Sequence, residues 1–355
     1  MVTVRPTDES ERTVPDGGSV AEEIDAPFET VSEGTMSRSE RYQMTIEEWV
    51  VAPIQIIWSD WRARVGLFII LLYILMGTVG VWLVEPSQTA EGPRLLAPFQ
   101  NWEFPLGTDT QGNDLFAQIV HATPPMLEMI VSGAVFATVM ATLVGTFSGY
   151  KGGSVDRLLM TVTDILMTIP GLPLTIVLAV ILQPRDPWVV GIILTINAWA
   201  GLARAIRSQV LTFREEDFVE ASRLMGISTS TILLKDILPG LMPYILVNFV
   251  NSARTVIFSS VGLYFLGILP FTQANWGVMM NFAYNSGGAL YTLSAIHWLL
   301  APMITIVILS FGLILFAQGT DRLFNPQVRA RHTSGPDIEA DEEDMNVETE
   351  IRGSQ

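Results

Sequence analysis

Glu220-Ala221-Ser222-Arg223-Leu224-Met225-Gly226, followed by Ile237-Leu238-Pro239, is a short polar stretch between two segments apolar enough to span a membrane. An acidic residue opens the first part, where the helix dipole favours a carboxylate. Gly226 then ends it, as a left-handed C-cap position prefers. Ser228-Thr229-Ser230 offers an N-cap for a second helix running through Ile232-Leu233-Leu234 to Leu238. Pro239 stops that helix or begins the next, and Pro243 repeats the signal. The expectation is a helical hairpin whose first helix, 218–225, presents small residues flanked by charge. Five basic residues, Arg204, Arg207, Arg214, Arg223 and Lys235, place it on the cytoplasmic side. Such a hairpin suits insertion into a groove on another protein; the plainer alternative is a cap on the bundle that binds nothing.

Working outward, a span needs ~20 mostly apolar residues to cross ~30 Å of hydrocarbon. Six segments qualify, at 65–84, 126–149, 158–182, 188–203, 242–266 and 298–318. Pro124-Pro125 stand just before the second, tolerable where a helix begins. Pro170 and Pro173 remove donors from the third and bend it. Asn197 and Trp199 make the fourth the weakest. Residues 43–64, with Trp49, Trp58 and Trp61, read as an interfacial helix or an extension of the first span.

Basic residues set the orientation. Seventeen fall on one side of this six-span arrangement and two on the other, with Arg254 inside a span. The expected fold is therefore an all-α polytopic membrane protein with six transmembrane helices and both termini cytoplasmic. Its parts are an acidic disordered tail at 1–42, the interfacial helix, first span and outer loop at 43–125, a core at 126–318 with the hairpin loop at 204–241, and a second acidic tail at 319–355.

Composition agrees. The 355 residues are 49% hydrophobic yet carry a formal charge of −16, and the acid is concentrated in the two tails. Only Lys151 and Lys235 are lysines. An acid-rich, lysine-poor polar surface suits a halophile, whose salt screens self-repulsion. There is no cysteine, which excludes disulfides, thiolate metal sites and thiol nucleophiles. The three histidines, His121, His297 and His332, lie far apart, and His121 and His297 are expected as satisfied surface groups. No Gly-x-x-x-x-Gly-Lys-Ser/Thr loop occurs, so no nucleotide hydrolysis is encoded; no enzyme, cofactor, metal or nucleic-acid partner is expected.

Within the spans, Arg254 is the conspicuous ionisable group. With Asn248, Asn251 and Ser252 it makes one stretch polar. It either faces a translocation path or pairs with an acid from a neighbouring span or subunit. Asp164 pairs with Arg157 or reaches interfacial water, Glu128 sits near water, and Gly145 and Gly149 allow close helix packing.

The chain resembles the second permease subunit of dipeptide/oligopeptide-type ABC importers over roughly residues 45–330. The resemblance rests on Glu220-Ala221-Ser222, Gly226 and Ile237-Leu238-Pro239, on Leu106-Gly107-Thr108-Asp109 with Gly112 and Asp114, and on Gly149-Tyr150, Gly152-Gly153, Asp156, Met160, Asp164 and Pro170. Phe265-Leu266-Gly267 with Trp276-Gly277, and Asp321-Arg322 with Asn325-Pro326, extend it. Departures are Ser222 for a common Ala, Asp236 for a usual His, Asn113 for a usual Arg and Ser260 for an expected Glu. The resemblance implies a type I ABC importer permease fold in the plasma membrane, with residues 218–239 as the coupling segment. It implies a second permease subunit as heterodimer partner, two cytoplasmic ATPases, an extracellular solute-binding protein, and a peptide or related small solute as cargo. A stand-alone secondary transporter, which would show paired halves with broken helices, and a non-transporting membrane scaffold are the alternatives.

Overall fold

The computed structural model describes residues 58, 60–271 and 274–320. The expected tails at 1–42 and 319–355, most of the interfacial helix and the Asp321-Arg322 and Asn325-Pro326 motifs lie outside the described residues, apart from Gly319 and Thr320.

The described residues form helices and no strand, with one isolated antiparallel bridge between Thr108 and Asp114. Helix α1 spans Trp61–Leu75 and continues through a π-turn, Met76–Gly80, to Val81–Leu83. It begins four residues before the expected span because Asp60 accepts the Arg62 amide at 2.8 Å and caps it. After the outer loop comes α2, Leu115–Lys151. Then follow α3 (Gly153–Thr168), α4 (Gly171–Leu182), α5 (Pro187–Leu194), α6 (Ala198–Arg214), α7 (Asp217–Leu224) and α8 (Thr229–Ile232). A second π-turn, Leu233–Ile237, joins α8 to α9 (Leu238–Phe265); α10 (Trp276–Asn285) and α11 (Ile296–Thr320) complete the order.

Four of these helical runs are long and apolar enough to cross a membrane, six if each of two bent pairs is one span. The third expected span is the pair α3 and α4, bent by 83°, and the fourth is α5 and α6, bent by 57°. The bend in the third falls at Pro170, as its missing donor predicts.

Two expectations are corrected. Pro124 and Pro125 lie inside α2, which starts at Leu115. Asp114 caps that start, accepting the Phe116 and Ala117 amides at 2.9 and 3.2 Å. Just before the prolines, the Ile119 carbonyl takes the Thr123 hydroxyl at 2.8 Å and the Trp276 indole N–H at 3.4 Å, which ties α10 to α2. Second, the hairpin's second helix is no separate element. Thr229–Phe265 is one run, and the wide turn, in which the Leu238 amide bonds the Leu233 carbonyl, carries it into Pro239, which sits in the first turn of α9. The segment between the last two spans also contains a helix, α10, whose Trp276 is fully buried.

Helix α2 is the central post. Small residues let its neighbours approach: a Cβ placed on Gly145 would lie 2.6 Å from the Ala203 carbonyl oxygen, and one on Gly149 would lie 2.8 Å from the Val210 Cβ. One core gathers Met126, Met129, Val190, Ile257 and Trp276 between α2, α5, α9 and α10. The other gathers Ala141, Ala203, Ile206, Val219, Ile232 and Ile237 beneath the hairpin. Helices α1 and α11 pair antiparallel through Ala63 with Gly319 and Gly66 with Gly312, and the Tyr73 hydroxyl donates to the Thr305 carbonyl at 2.6 Å.

Candidate functional site

The hairpin at 217–237 is built in two layers. Val219, Ile232, Leu233 and Ile237 turn inward and are buried with α6. Ser222 is buried as well, and its hydroxyl donates to the Asp236 carboxylate at 3.0 Å, joining the two arms. Two residues that depart from the resembled pattern are therefore hydrogen-bonded to each other. Gly226 has φ +74°, the left-handed position expected of it. Its amide donates to the Arg223 carbonyl at 3.0 Å and the Ile227 amide to the Ser222 carbonyl at 3.1 Å, which closes α7. Ser228 caps α8, accepting from the Thr231 amide at 3.4 Å.

The outer layer is bare. Glu220 and Ala221 are exposed, Leu224 is 83% and Met225 71% exposed, and Phe218 and Leu234 are exposed as well. Of the sequence-predicted coupling residues, Glu220, Ala221 and Gly226 lie on this outer layer, with Pro239 exposed farther along. Ser222 and Ile237 lie underneath, and Leu238 is half-buried.

A basic series on α6 and α7 fastens the hairpin to the ends of α2 and α3. Arg223 lies over the Tyr150 ring, 4.9 Å from its centroid, and its Nε donates to the Tyr150 hydroxyl at 3.3 Å. Arg214 reaches the Gly149 and Tyr150 carbonyls at 3.4 and 3.5 Å. Arg207 makes a two-pronged pair with Asp156, both contacts at 2.5 Å, and the Ser148 hydroxyl donates to the same carboxylate. Asp164 pairs with Arg204 rather than with Arg157 or water alone. Sequence reasoning missed this series because its positive charges were counted only for orientation. Their spacing held the signal: 204, 207 and 214 fall on one face of a helix.

Beside α6 and α9 lies a cleft of about 290 Å³, lined by Thr195, Ala198, Tyr244, Asn248, Asn251 and Thr255 among others. Asn248 and Asn251 are thus brought together, although the Asn248 amide already donates to the Tyr244 carbonyl at 2.8 Å. Arg254 is not among the lining residues; it sits at the next face of α9, with its Nε buried and unbonded. No group of three or more histidines or acids that could hold a metal occurs among the described residues. His297 is buried, not a surface group, and its Nε2 meets the Thr108 carbonyl at 3.0 Å; the His121 Nε2 meets the Val84 carbonyl at 2.9 Å.

The family of binding-protein-dependent transport system inner membrane components matches residues 141–330, the stretch holding the hairpin, the cleft and the helices around them. The chain belongs to that family. Among curated relatives, the oligopeptide transport system permease protein OppC of Bacillus subtilis (strain 168) is 31% identical over 273 residues, covering 76% of this chain and 87% of the relative. The dipeptide transport system permease protein DppC of the same organism is 30% identical over 275 residues, covering 75% and 82%. The nickel transport system permease protein NikC of Escherichia coli (strain K12) is 31% identical over 227 residues, covering 63% and 80%. Among solved structures, inward facing conformations of the MetNI methionine ABC transporter align at TM-score 0.45 and 18% identity, over 57% of this chain and 95% of that one.

This inner membrane component is a permease subunit, and its departures from the resembled pattern make local hydrogen bonds, although the Asn113 Oδ1 is buried without a partner. The Asn113 side-chain amide donates to the Asp109 carboxyl at 2.6 Å, so the residue standing for a usual Arg still meets this acid. Ser260 is fully buried and donates to the Ile257 carbonyl at 2.9 Å, next to Met126.

Proposed function

We propose that this chain is half of the translocation pathway of an ATP-driven importer for peptides. In this reading it spans the plasma membrane six times with both termini cytoplasmic. It hydrolyses no ATP itself. It pairs with a second permease, receives cargo from an extracellular solute-binding protein, and is driven by two cytoplasmic ATPases that grip residues 218–239. The observation that carries the reading is the hairpin's two-layer construction. Its underside is locked into the bundle while large apolar residues stand bare at a charged, non-membranous tip, the arrangement of a surface that docks a partner and passes motion inward. The seventeen-to-two asymmetry of basic residues supports its cytoplasmic placement. The names of the OppC and DppC relatives support peptides as cargo. The acidic, lysine-poor composition supports a high-salt cytoplasm.

Reconstitution tests it. Vesicles holding both permeases and both ATPases should take up a binding-protein-delivered tripeptide only when ATP faces the hairpin. Uptake that continues with the ATPases omitted would instead favour a self-sufficient secondary transporter.

Arg254 is placed on the path in this reading. Its unbonded, buried Nε sits one face away from Asn251, and a guanidinium in a low-dielectric interior attracts a carboxylate or peptide carbonyl strongly. Arg254→Ala is expected to lower tripeptide uptake roughly tenfold, the effect of losing about 1.4 kcal/mol, while the four-subunit complex still copurifies. Unchanged uptake would remove Arg254 from the path.

A further inference from the structure

The two bent spans meet at their breaks. Helix α3 ends at Thr168, and the next residue, Ile169, turns extended at ψ 121°. Lying between the two helices, Ile169 has a carbonyl outside both backbone ladders. Its donor comes from the other broken span: Asn197 Nδ2 donates to the Ile169 carbonyl at 3.2 Å. A Cβ on Gly171, the first residue of α4, would lie 3.4 Å from the Asn197 carboxamide, so this side chain also abuts the far side of the break.

The break carrying Asn197 is itself held. Thr195 is fully buried, and its hydroxyl reaches the Gly133 carbonyl on α2 at 3.2 Å and the Gly191 carbonyl at 3.1 Å. Further along, Asp164–Arg204 and Asp156–Arg207 tie α3 to α6. Helices α2, α3, α5 and α6 with the hairpin thus make one braced frame. Helix α4 packs on the core through Ala179 but, unlike α3, has no charged side chain with which to join those ion pairs. Only Thr175 and Ala179 are buried along it, and Leu172, Val180 and Ile181 are each more than half exposed.

We propose that Asn197 is the positioning residue of a hinge at Ile169–Pro170, about which α4 swings against the frame when the hairpin is driven. Asn197 keeps the end of α3 seated on the frame, so the movement is confined to α4. The hinge lies at the rim of the cleft, because Thr195 and Ala198, on either side of Asn197, both line it. The swing therefore changes access to the cleft. This inference rests on the permease reading and adds which element moves and which residue holds its pivot.

The chain has no cysteine, so spin labels enter this subunit only where they are introduced. In the complete four-subunit complex, one pair at Val162→Cys and Gln209→Cys reports within the frame. A second at Val180→Cys and Gln209→Cys reports across the hinge. On trapping with ATP and vanadate, the second separation is expected to shift by several ångströms and the first to stay fixed. Movement of both pairs alike, or of neither, overturns the hinge.

Asn197→Asp keeps the shape and loses the donor at neutral pH, and Asn197→Ala loses both. Each is expected to broaden the frame-pair distance distribution on trapping, whereas a distribution matching the wild type would overturn the role of Asn197. ATP-dependent tripeptide uptake by the unlabelled complex is scored separately, so a failure of the permease reading is distinguishable from a failure of the hinge.

Discussion

Leu224→Asp with Met225→Asp should abolish copurification of the ATPases and lower ATP-driven uptake at least a hundredfold, while the chain still inserts and pairs with its second permease. Both side chains are mostly exposed, so neither supports the fold. The core beneath them, Val219, Ile232 and Ile237, is untouched. In a docked complex each would be buried, and burying a large apolar side chain is worth about 1.5–3 kcal/mol. Losing two such terms, and burying two carboxylates instead, costs at least about 3 kcal/mol, which is roughly a hundredfold or more in affinity. Copurification from detergent with quantitative immunoblotting checks it. ATPases retained in full by the double variant would show that the hairpin tip is not their grip. Glu220→Lys and Gly226→Val test the same surface differently. The first reverses a charge at an exposed first-turn position; the second forces a branched residue into φ +74°, which strains the tip by about 1–2 kcal/mol.

Gly145→Val should prevent accumulation of folded protein altogether. The Cβ alone would approach the Ala203 carbonyl to 2.6 Å and the Ile206 Cβ to 2.9 Å, both on a helix held to α2 by Arg214 and to α3 by Arg207. No flexible side chain can yield there, because the nearest atom is backbone. Separating α2 from α6 would also open the core shared by Ala141, Ala203 and Ile206. Overpacking of this kind costs typically about 1–3 kcal/mol and occasionally more, and the loss of core contact adds to it. Gly145→Ala meets the same first clash with less volume and should accumulate at a reduced level. Fluorescence-detected size exclusion of a tagged chain measures both; a monodisperse peak of wild-type height for Gly145→Val would refute the packing argument.

What the sequence made legible was local. Gly226 and Ser228 announce the hairpin's turn and cap because their conformational and hydrogen-bonding preferences act within a few residues. Pro170 announces the bend in the third span for the same reason. The break at Thr195–Asn197 carries no proline and no glycine, so Asn197 marks the span as weak without announcing a bend. What holds it, the Gly133 carbonyl, is 62 residues away. Pro124 and Pro125 misled in the opposite sense: the local rule starts a helix just after them, yet α2 runs through both from Leu115, where Asp114 caps it. Helix α10 was hidden because a ten-residue amphipathic segment inside an apolar loop has no span-length signature. The ion pairs were half visible. Their arginines recur on one face of α6, but only packing reveals that Asp156 and Asp164 lie opposite.

The pairing of α1 with α11 has a consequence for biogenesis. Ala63 and Gly66 find their counterparts only at Gly312 and Gly319, some 250 residues later in the chain. The first described span therefore waits, through the synthesis of the described spans between them, for α11 before its small-residue seam can shut. During that interval its polar Tyr73 hydroxyl has no Thr305 carbonyl to meet, and a nascent chain in that state presents a sticky flank to insertases and quality-control proteases.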